Sequence, residues 1–212
     1  MQPAIFLDRD GTVVEPRHYP SRPEDLVVYP GIGPRLRQLS EAGFLLVIVT
    51  NQSGLARGYF SIEDLDWMHD YLRLELARDG VVIDAIQYCP HHPDGEVPDL
   101  ACSCDCRKPQ PGMLLEAAER LGIDCSKSWM IGDILDDVEA GHRAGCRSLL
   151  VDIGTESPPP SGIRTPYAVL ATITDALDLI AADAGLVPGP PAPYWPSRWP
   201  STHPLAETSA RR

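Results

Sequence analysis

The feature that most constrains this chain is a repeated unit: a short, largely apolar run that stops on a polar residue and is followed by a helical stripe. Ala4-Ile5-Phe6-Leu7 stops at Asp8, Phe44 to Val49 stops at Thr50, and Ser128 to Ile131 stops at Gly132-Asp133. Runs without polar alternation are the pattern of strands buried on both faces, which occur in parallel sheets. Between them Ile32, Leu36 and Leu39 recur at helical spacing up to Gly43, and Ile62, Leu65, Met68, Leu72 and Leu76 do so up to Gly80. Ser61 with Asp64 three residues on reads as a capping box for the second of these helices. Pro111 to Leu121, Val138 to Ala144 and Thr174 to Ala184 supply three further helices. Val81 to Tyr88, interrupted at Asp84, reads as another strand, as does Arg147 to Val151, with Tyr167 to Leu170 at an edge. Strand and helix alternating in this way predict an α/β fold, a parallel sheet with helices on both faces.

Length and composition narrow the class. The 212 residues suit one domain, expected over 1–186. Seven of the last 26 residues are proline, so 187–212 is expected to be an extended or disordered tail. Tyr194, Trp195 and Trp199 are large apolar groups that a solvated tail would not need, which raises docking onto the domain or onto a partner chain. Eighteen Lys and Arg against 30 Asp and Glu give a formal charge of -12, which argues against a nucleic-acid partner. The longest apolar run, Phe44 to Val49, is too short to span a bilayer, and no leader peptide is visible before Asp8. A soluble, cytoplasmic monomer is expected.

In a parallel sheet, ligands bind beyond the carboxyl ends of the strands. Asp8 and Asp10, Thr50, Lys108 and Asp133 all fall there in this reading. Two carboxylates one residue apart can meet a hard cation and a substrate together, and Gly11 lets the chain turn away. The alternative is an ordinary Asp-Gly turn with solvated acids. Asp136 and Asp137 add carboxylates at the start of the next helix, where they also complement its dipole. Acids, a hard cation, a hydroxyl and a lysine suit phosphoryl transfer: cations neutralise phosphate oxygens while a carboxylate attacks phosphorus.

Asp8-Arg9-Asp10-Gly11-Thr12, Thr50-Asn51-Gln52-Ser53-Gly54, Lys108-Pro109 and Gly132-Asp133 resemble, in order and spacing, the motifs of phosphatases of the haloacid dehalogenase (HAD) superfamily, subfamily IIIA. Val49 to Gly58, Cys89 to Gly95 and Cys104 to Gly112 resemble the branch that holds the heptose bisphosphate and histidinol-phosphate phosphatases. The resemblance implies a Rossmann-like HAD fold without a large cap. It implies Asp8 as nucleophile, Asp10 as acid and then base, and Thr50 and Lys108 gripping the phosphoryl group. Mg²⁺ would be held by Asp8, the Asp10 carbonyl and Asp133. Tyr19, Asn51, Gln52, Ser53 and Arg107 would lie near a sugar phosphate. One departure stands out: after Gly-Asp that branch carries Lys or Arg, and here the residue is Ile134. Arg17, Arg57 or Arg107 are the cations available to compensate.

Cys89-Pro90-His91 and Cys104-Asp105-Cys106 form paired metal-ligand motifs across a loop rich in Pro, Asp and Gly. Three thiolates and an imidazole suit a closed tetrahedral Zn²⁺ site, with His92 and Cys102 as competing neighbours. The resemblance matches Cys89, His91, Cys104 and Cys106 to the zinc ligands of the family, and zinc would staple a loop with no core of its own. Cys125 and Cys146 stand apart as small buried hydrophobes, and Glu15, Arg17 and His18 fall in the flap after the first motif. His18, His69, His142 and His203 receive no role.

The expected activity is removal of the 7-phosphate of D-glycero-D-manno-heptose 1,7-bisphosphate. Histidinol-phosphate hydrolysis is the alternative with the same chemistry, favoured by an acidic pocket around Glu15. A nucleic-acid 3′-end phosphatase is opposed by the charge. A phospho-accepting receiver module also uses Asp, Thr and Lys around Mg²⁺, but there the acceptor follows a central strand later in the chain, and Asp10 would have no role.

Overall fold

The computed structural model describes residues 1–189 and 194–202. His203 and the rest of the tail's end lie outside the described residues. Six parallel strands form one sheet: β1 (Ala4–Leu7), β2 (Leu45–Asn51), β3 (Ala85–Cys89), β4 (Trp129–Gly132), β5 (Arg147–Val151) and β6 (Ala168–Leu170). Their order is β3-β2-β1-β4-β5-β6, so the chain winds outward from β1 to one edge and returns to build the other. β1 lies between β2 and β4, with Leu7 opposite both Ile48 and Ile131. The winding direction reverses at this pair, which opens a crevice beyond the ends of β1 and β4.

Alternation along each strand divides the core. Ile5, Leu7, Leu46, Ile48 and Ile131 face one side, under α1 (Ile32–Glu41), α2 (Ile62–Ala77) and α5 (Ile173–Asp183). Ala4, Phe6, Val47, Val49 and Met130 face the other, under α3 (Gly112–Leu121) and α4 (Leu135–Ala144). The helices are anchored by local chemistry. Ser61 and Asp64 cap α2 reciprocally, the Asp64 amide donating to Ser61 Oγ and the Ser61 amide to Asp64 Oδ2. Arg35 on α1 forks onto Asp178 on α5 at 2.7 and 3.0 Å. No helix among the described residues is long and apolar enough to cross a membrane.

Helix α4 begins at Leu135, three residues before the Val138 read from the sequence. The third strand begins at Ala85, not Val81. Asp84 is the reason: its amide donates to Leu46 O and its carboxylate accepts from Leu46 N at 2.8 Å, closing off β2 with a side chain. Val81 and Ile83 ahead of it plug the core from an irregular segment.

Two long connections leave the carboxyl edge of the sheet beside the crevice. Residues 8–31 form a small flap tied down by Glu15 N to Val27 O and Tyr29 N to Val13 O. Residues 90–111 form the loop between β3 and α3. Neither holds an inserted domain.

Candidate active site

β1 and β4 end side by side, and the first residue past each enters the crevice. The Asp8 amide donates to Ile131 O at 2.9 Å, which fixes the first carboxylate beside the second strand. Asp133 follows β4, and Thr12 Oγ1 donates to its Oδ1 at 3.4 Å. This approach depends on Gly11, whose φ is +93° and where a Cβ would come within 2.5 Å of Asp133 Oδ2. Gly132 has the same function one strand over, since a Cβ there would meet Asp137 Oδ2 at 2.1 Å.

Lys108 enters from the 90–111 loop and is 2 % exposed. Its Nζ donates to Asp8 Oδ1 at 2.5 Å and to Val49 O at 2.8 Å, and it pairs with Asp137 Oδ1 at 2.6 Å. Its backbone is clamped by Asn51: Lys108 N donates to Asn51 Oδ1 at 3.0 Å, and Asn51 Nδ2 donates back to Lys108 O at 3.1 Å. Asn51, expected near the substrate, thus has both amide atoms engaged on the lysine that follows the cysteine loop.

Asp10 sits to one side. Arg9, fully buried, lays its guanidinium along the Asp10 carboxylate with Nε to Oδ2 and Nη2 to Oδ1 both at 3.1 Å. Gln52 Nε2 donates to Asp10 Oδ2 at 3.0 Å and to Thr50 Oγ1 at 2.8 Å, so the second motif is keyed to the first. Behind Arg9, His69 Nε2 lies 3.4 Å from Nη1. Burial, and then the charge of Arg9, pushes the His69 pKa down to about 3, so the ring is neutral and accepts from the arginine. His69, given no role from sequence, backs the arginine that holds Asp10.

The electrostatics of this group are unbalanced. Asp8, Asp133 and Asp137 bring carboxylate oxygens within 4.8 Å of one another, against one ammonium. Burial, only partly offset by Lys108 and reinforced by Asp137 and Asp10, raises Asp8 to about 7. Burial together with Asp8 and Asp137 raises Asp133 to about 8. For Lys108, burial opposes the charge, but Asp137 and Asp8 outweigh it and hold its pKa above the ordinary lysine value. Hard oxygen donors in excess over cations fit a divalent ion such as Mg²⁺. The sequence offers Asp136 and Asp137 together as extra carboxylates after Asp133; the structure brings Asp137 into the crevice group, and Asp136 pairs with Arg164 instead. The signal for Asp137 is its place in the first turn after Asp133, which returns the side chain to the strand end.

A cavity of about 240 Å³ opens beside Asp10, lined also by Arg17, His18, Tyr19, Asn51, Gln52 and Ser53. Tyr19, at φ +50°, packs edge-on between His18 and Tyr59 with centroids 4.6 and 4.7 Å away. Arg107 is not among these lining residues and donates from Nη1 to His91 O at 3.4 Å.

The second cluster lies one strand away. Cys89 ends β3 opposite Asn51, and its carbonyl accepts from Gln52 N at 2.8 Å. Cys89 Sγ is 3.5 Å from Cys104 Sγ and 3.2 Å from Cys106 Sγ, and Cys104 and Cys106 are 3.2 Å apart. His91 Nδ1 lies 3.4 Å from Cys106 Sγ and 3.8 Å from Cys89 Sγ. Ligands around a tetrahedral Zn²⁺ stand about 3.8 Å apart for sulfur pairs and about 3.6 Å for sulfur and nitrogen, close to this spacing. Burial, then hydrogen bonding to Cys104, pushes the Cys106 thiol up to about 11 in the absence of a cation. His92 and Cys102 are outside the cluster; His92 Nε2 lies 3.3 Å from Arg57 Nη2, and Cys102 is exposed. Cys125 and Cys146 are hydrogen-bonded to each other and pack against the α3 and α4 side of the core.

Known proteins with this arrangement can be compared directly. A HAD-hydrolase-like family model matches residues 105–176. The D-glycero-β-D-manno-heptose-1,7-bisphosphate 7-phosphatase of Photorhabdus laumondii is 45% identical over 188 residues, 87% of this chain and 96% of that enzyme. The enzyme of the same name from Haemophilus ducreyi is 39% identical over 178 residues, 84% of this chain and 97% of its own length. The chain belongs to the HAD-like phosphatases, in the heptose-bisphosphate phosphatase branch. Among solved structures, the D,D-heptose 1,7-bisphosphate phosphatase of B. bronchiseptica, complexed with magnesium and phosphate, superposes with a TM-score of 0.73 at 34% identity, covering 86% of this chain and 99% of that one. The present chain shares that fold and carries, in the cluster above, a Cys/His group suited to a metal.

Proposed function

We propose that the protein hydrolyses the 7-phosphate of D-glycero-D-manno-heptose 1,7-bisphosphate through an aspartyl-phosphate on Asp8. The observation that carries this reading is the pairing of Asp8 with Lys108 at 2.5 Å at the sheet's reversal point, in a chain related over most of its length to enzymes of that name. Asp8 attacks phosphorus and the bond to the sugar oxygen breaks. Asp10, oriented by Arg9 and Gln52, gives its proton to the departing alkoxide. Asp10 then takes a proton from water, which attacks the acyl phosphate, releases inorganic phosphate and restores the Asp8 carboxylate. Lys108 and Thr50 hold phosphoryl oxygens as charge moves between them. Mg²⁺, held by Asp8, Asp133 and the Asp10 carbonyl, supplies charge neutralisation when bound.

The Cys89, His91, Cys104 and Cys106 cluster is read as a structural Zn²⁺ site that fixes the 90–111 loop and so the entry of Lys108. The substrate's second phosphate needs a cation at the cavity, and Ile134 supplies none. Arg17 is the arginine among the cavity's lining residues, whereas Arg57 and Arg107 lie beside His92 and His91 O. Phosphate release with Mg²⁺, measured on both anomers of the heptose bisphosphate and on histidinol phosphate, tests the reading. A clear preference for a heptose bisphosphate is expected. Preference for histidinol phosphate, or turnover of neither, overturns the substrate assignment.

A further inference from the structure

The proline-rich tail contributes a docked segment. Trp199 is 4 % exposed and packs with Leu135 and Val138 of α4, Leu150 of β5 and Val169 of β6, with Tyr194 and Trp195 beside it. Trp195 meets Trp199 edge-on at 5.4 Å. Arg198 forks onto Asp152, a carboxylate 1 % exposed, with Nη1 to Oδ2 at 2.7 Å. Both residues also reach one carbonyl: Arg198 Nη2 donates to Glu156 O at 3.3 Å and Trp199 Nε1 to the same atom at 3.4 Å.

Glu156 connects this segment to the site. Helix α4 starts at Leu135 after Ile134, a residue whose side chain cannot cap the free amides of the first turn. Glu156 Oε1 accepts from Leu135 N at 3.0 Å instead, from a loop 21 residues further on. That turn is flanked by Asp133 and carries Asp137, whose carboxylate pairs with Lys108. The chain of contacts therefore runs from Trp199 and Arg198 to Glu156, to the start of α4, and on to the carboxylates of the site.

We propose that Glu156 is a positioning residue for the start of α4, and that Arg198 and Trp199 hold it in place as a strap. The C-terminal segment is then part of the scaffold that sets Asp133 and Asp137 rather than an appendage. Only the link to Mg²⁺ rests on the function proposed above.

The test uses the full-length chain with Glu156→Ala, Arg198→Ala, Trp199→Ala and the conservative Trp199→Phe. Amide hydrogen exchange at Leu135 is read together with Mg²⁺ affinity by calorimetry. The three alanine variants are expected to lose about 10-fold or more of the Leu135 protection and to bind Mg²⁺ about 3- to 10-fold more weakly, with Trp199→Phe restoring most of both. Lower melting temperatures with Leu135 protection and Mg²⁺ affinity unchanged overturn the proposal and leave the strap as a cover for apolar surface. Because exchange at Leu135 is independent of turnover, a chain that hydrolyses no heptose bisphosphate yet shows these losses defeats the substrate reading alone.

Discussion

The two donor clusters of this molecule are built in opposite ways. Asp8, Asp133 and Asp137 are almost wholly buried and sit on the ends of central strands or the first turn of a helix, so the sheet positions them before any ion arrives. Cys104 and Cys106 lie on a loop without regular structure, and only Cys89 belongs to a strand. The first cluster is a product of the fold, and the second makes its own local fold. Lys108 is where they meet, since it lies two residues past Cys106 and reaches Asp8 through the core. Metal at a preformed site tunes chemistry, whereas metal at a loop site supplies folding free energy.

The contrast can be broken most severely from the sheet-built side. Asp8→Asn is expected to lower phosphate release by about 10⁴-fold or more, because an amide cannot act as the nucleophile, while zinc content and far-UV circular dichroism stay as in the parent. Substantial turnover in that variant removes Asp8 from the nucleophile role. A smaller effect is expected from the loop side. Cys104→Ser, or stripping with a chelator, should lower activity about 10- to 100-fold by loosening the loop that delivers Lys108, with a lower melting temperature. If activity survives loss of the metal, the lysine is held by Asn51 and the two carboxylates alone, and the clusters are independent.

The smallest effect concerns pH and sharpens the electrostatic half of the comparison. Asp8 and Asp133 titrate near 7 and 8 in the folded chain without cation but at the ordinary carboxylate value of 3.8 when unfolded. Between these values the folded state binds more protons, so stability must fall as pH rises through that window. Mg²⁺-free protein is therefore expected to melt at a higher temperature at about pH 7 than at about pH 8.5, and saturating Mg²⁺ should flatten the difference. A rise in stability with pH in the metal-free protein would contradict the excess negative charge assigned to the crevice.

How much of this was legible in the sequence follows from what each residue signals locally. Asp8, Thr50 and Asp133 were visible because apolar runs of strand length end on them. The Cys89, His91, Cys104 and Cys106 group was visible because its two pairs have short, metal-ligand spacing. The choice of Asp137 over Asp136, and the role of Arg9, were not, because both are set by what lies across the crevice. An acid in a first helical turn looks like a dipole partner, and Arg9 looks like a solvated turn residue until burial shows its fork on Asp10. His69 was equally silent, as its partner Arg9 is 60 residues away. The third strand began late because Asp84 replaces a ladder contact with its own carboxylate, which apolar pattern alone does not reveal. Proline content pointed to an open tail, and the tryptophans carried the contrary signal that the docked segment followed.

The strand that delivers Asp8 is made well before the segments that surround it in the crevice. Asp8 leaves the ribosome 100 residues ahead of Lys108, and Thr12 precedes its partner Asp133 by 121. The nascent chain therefore exposes an acid with nothing yet to direct it. A fragment that stops short of Asp133 lacks the acids that face Asp8 across the crevice.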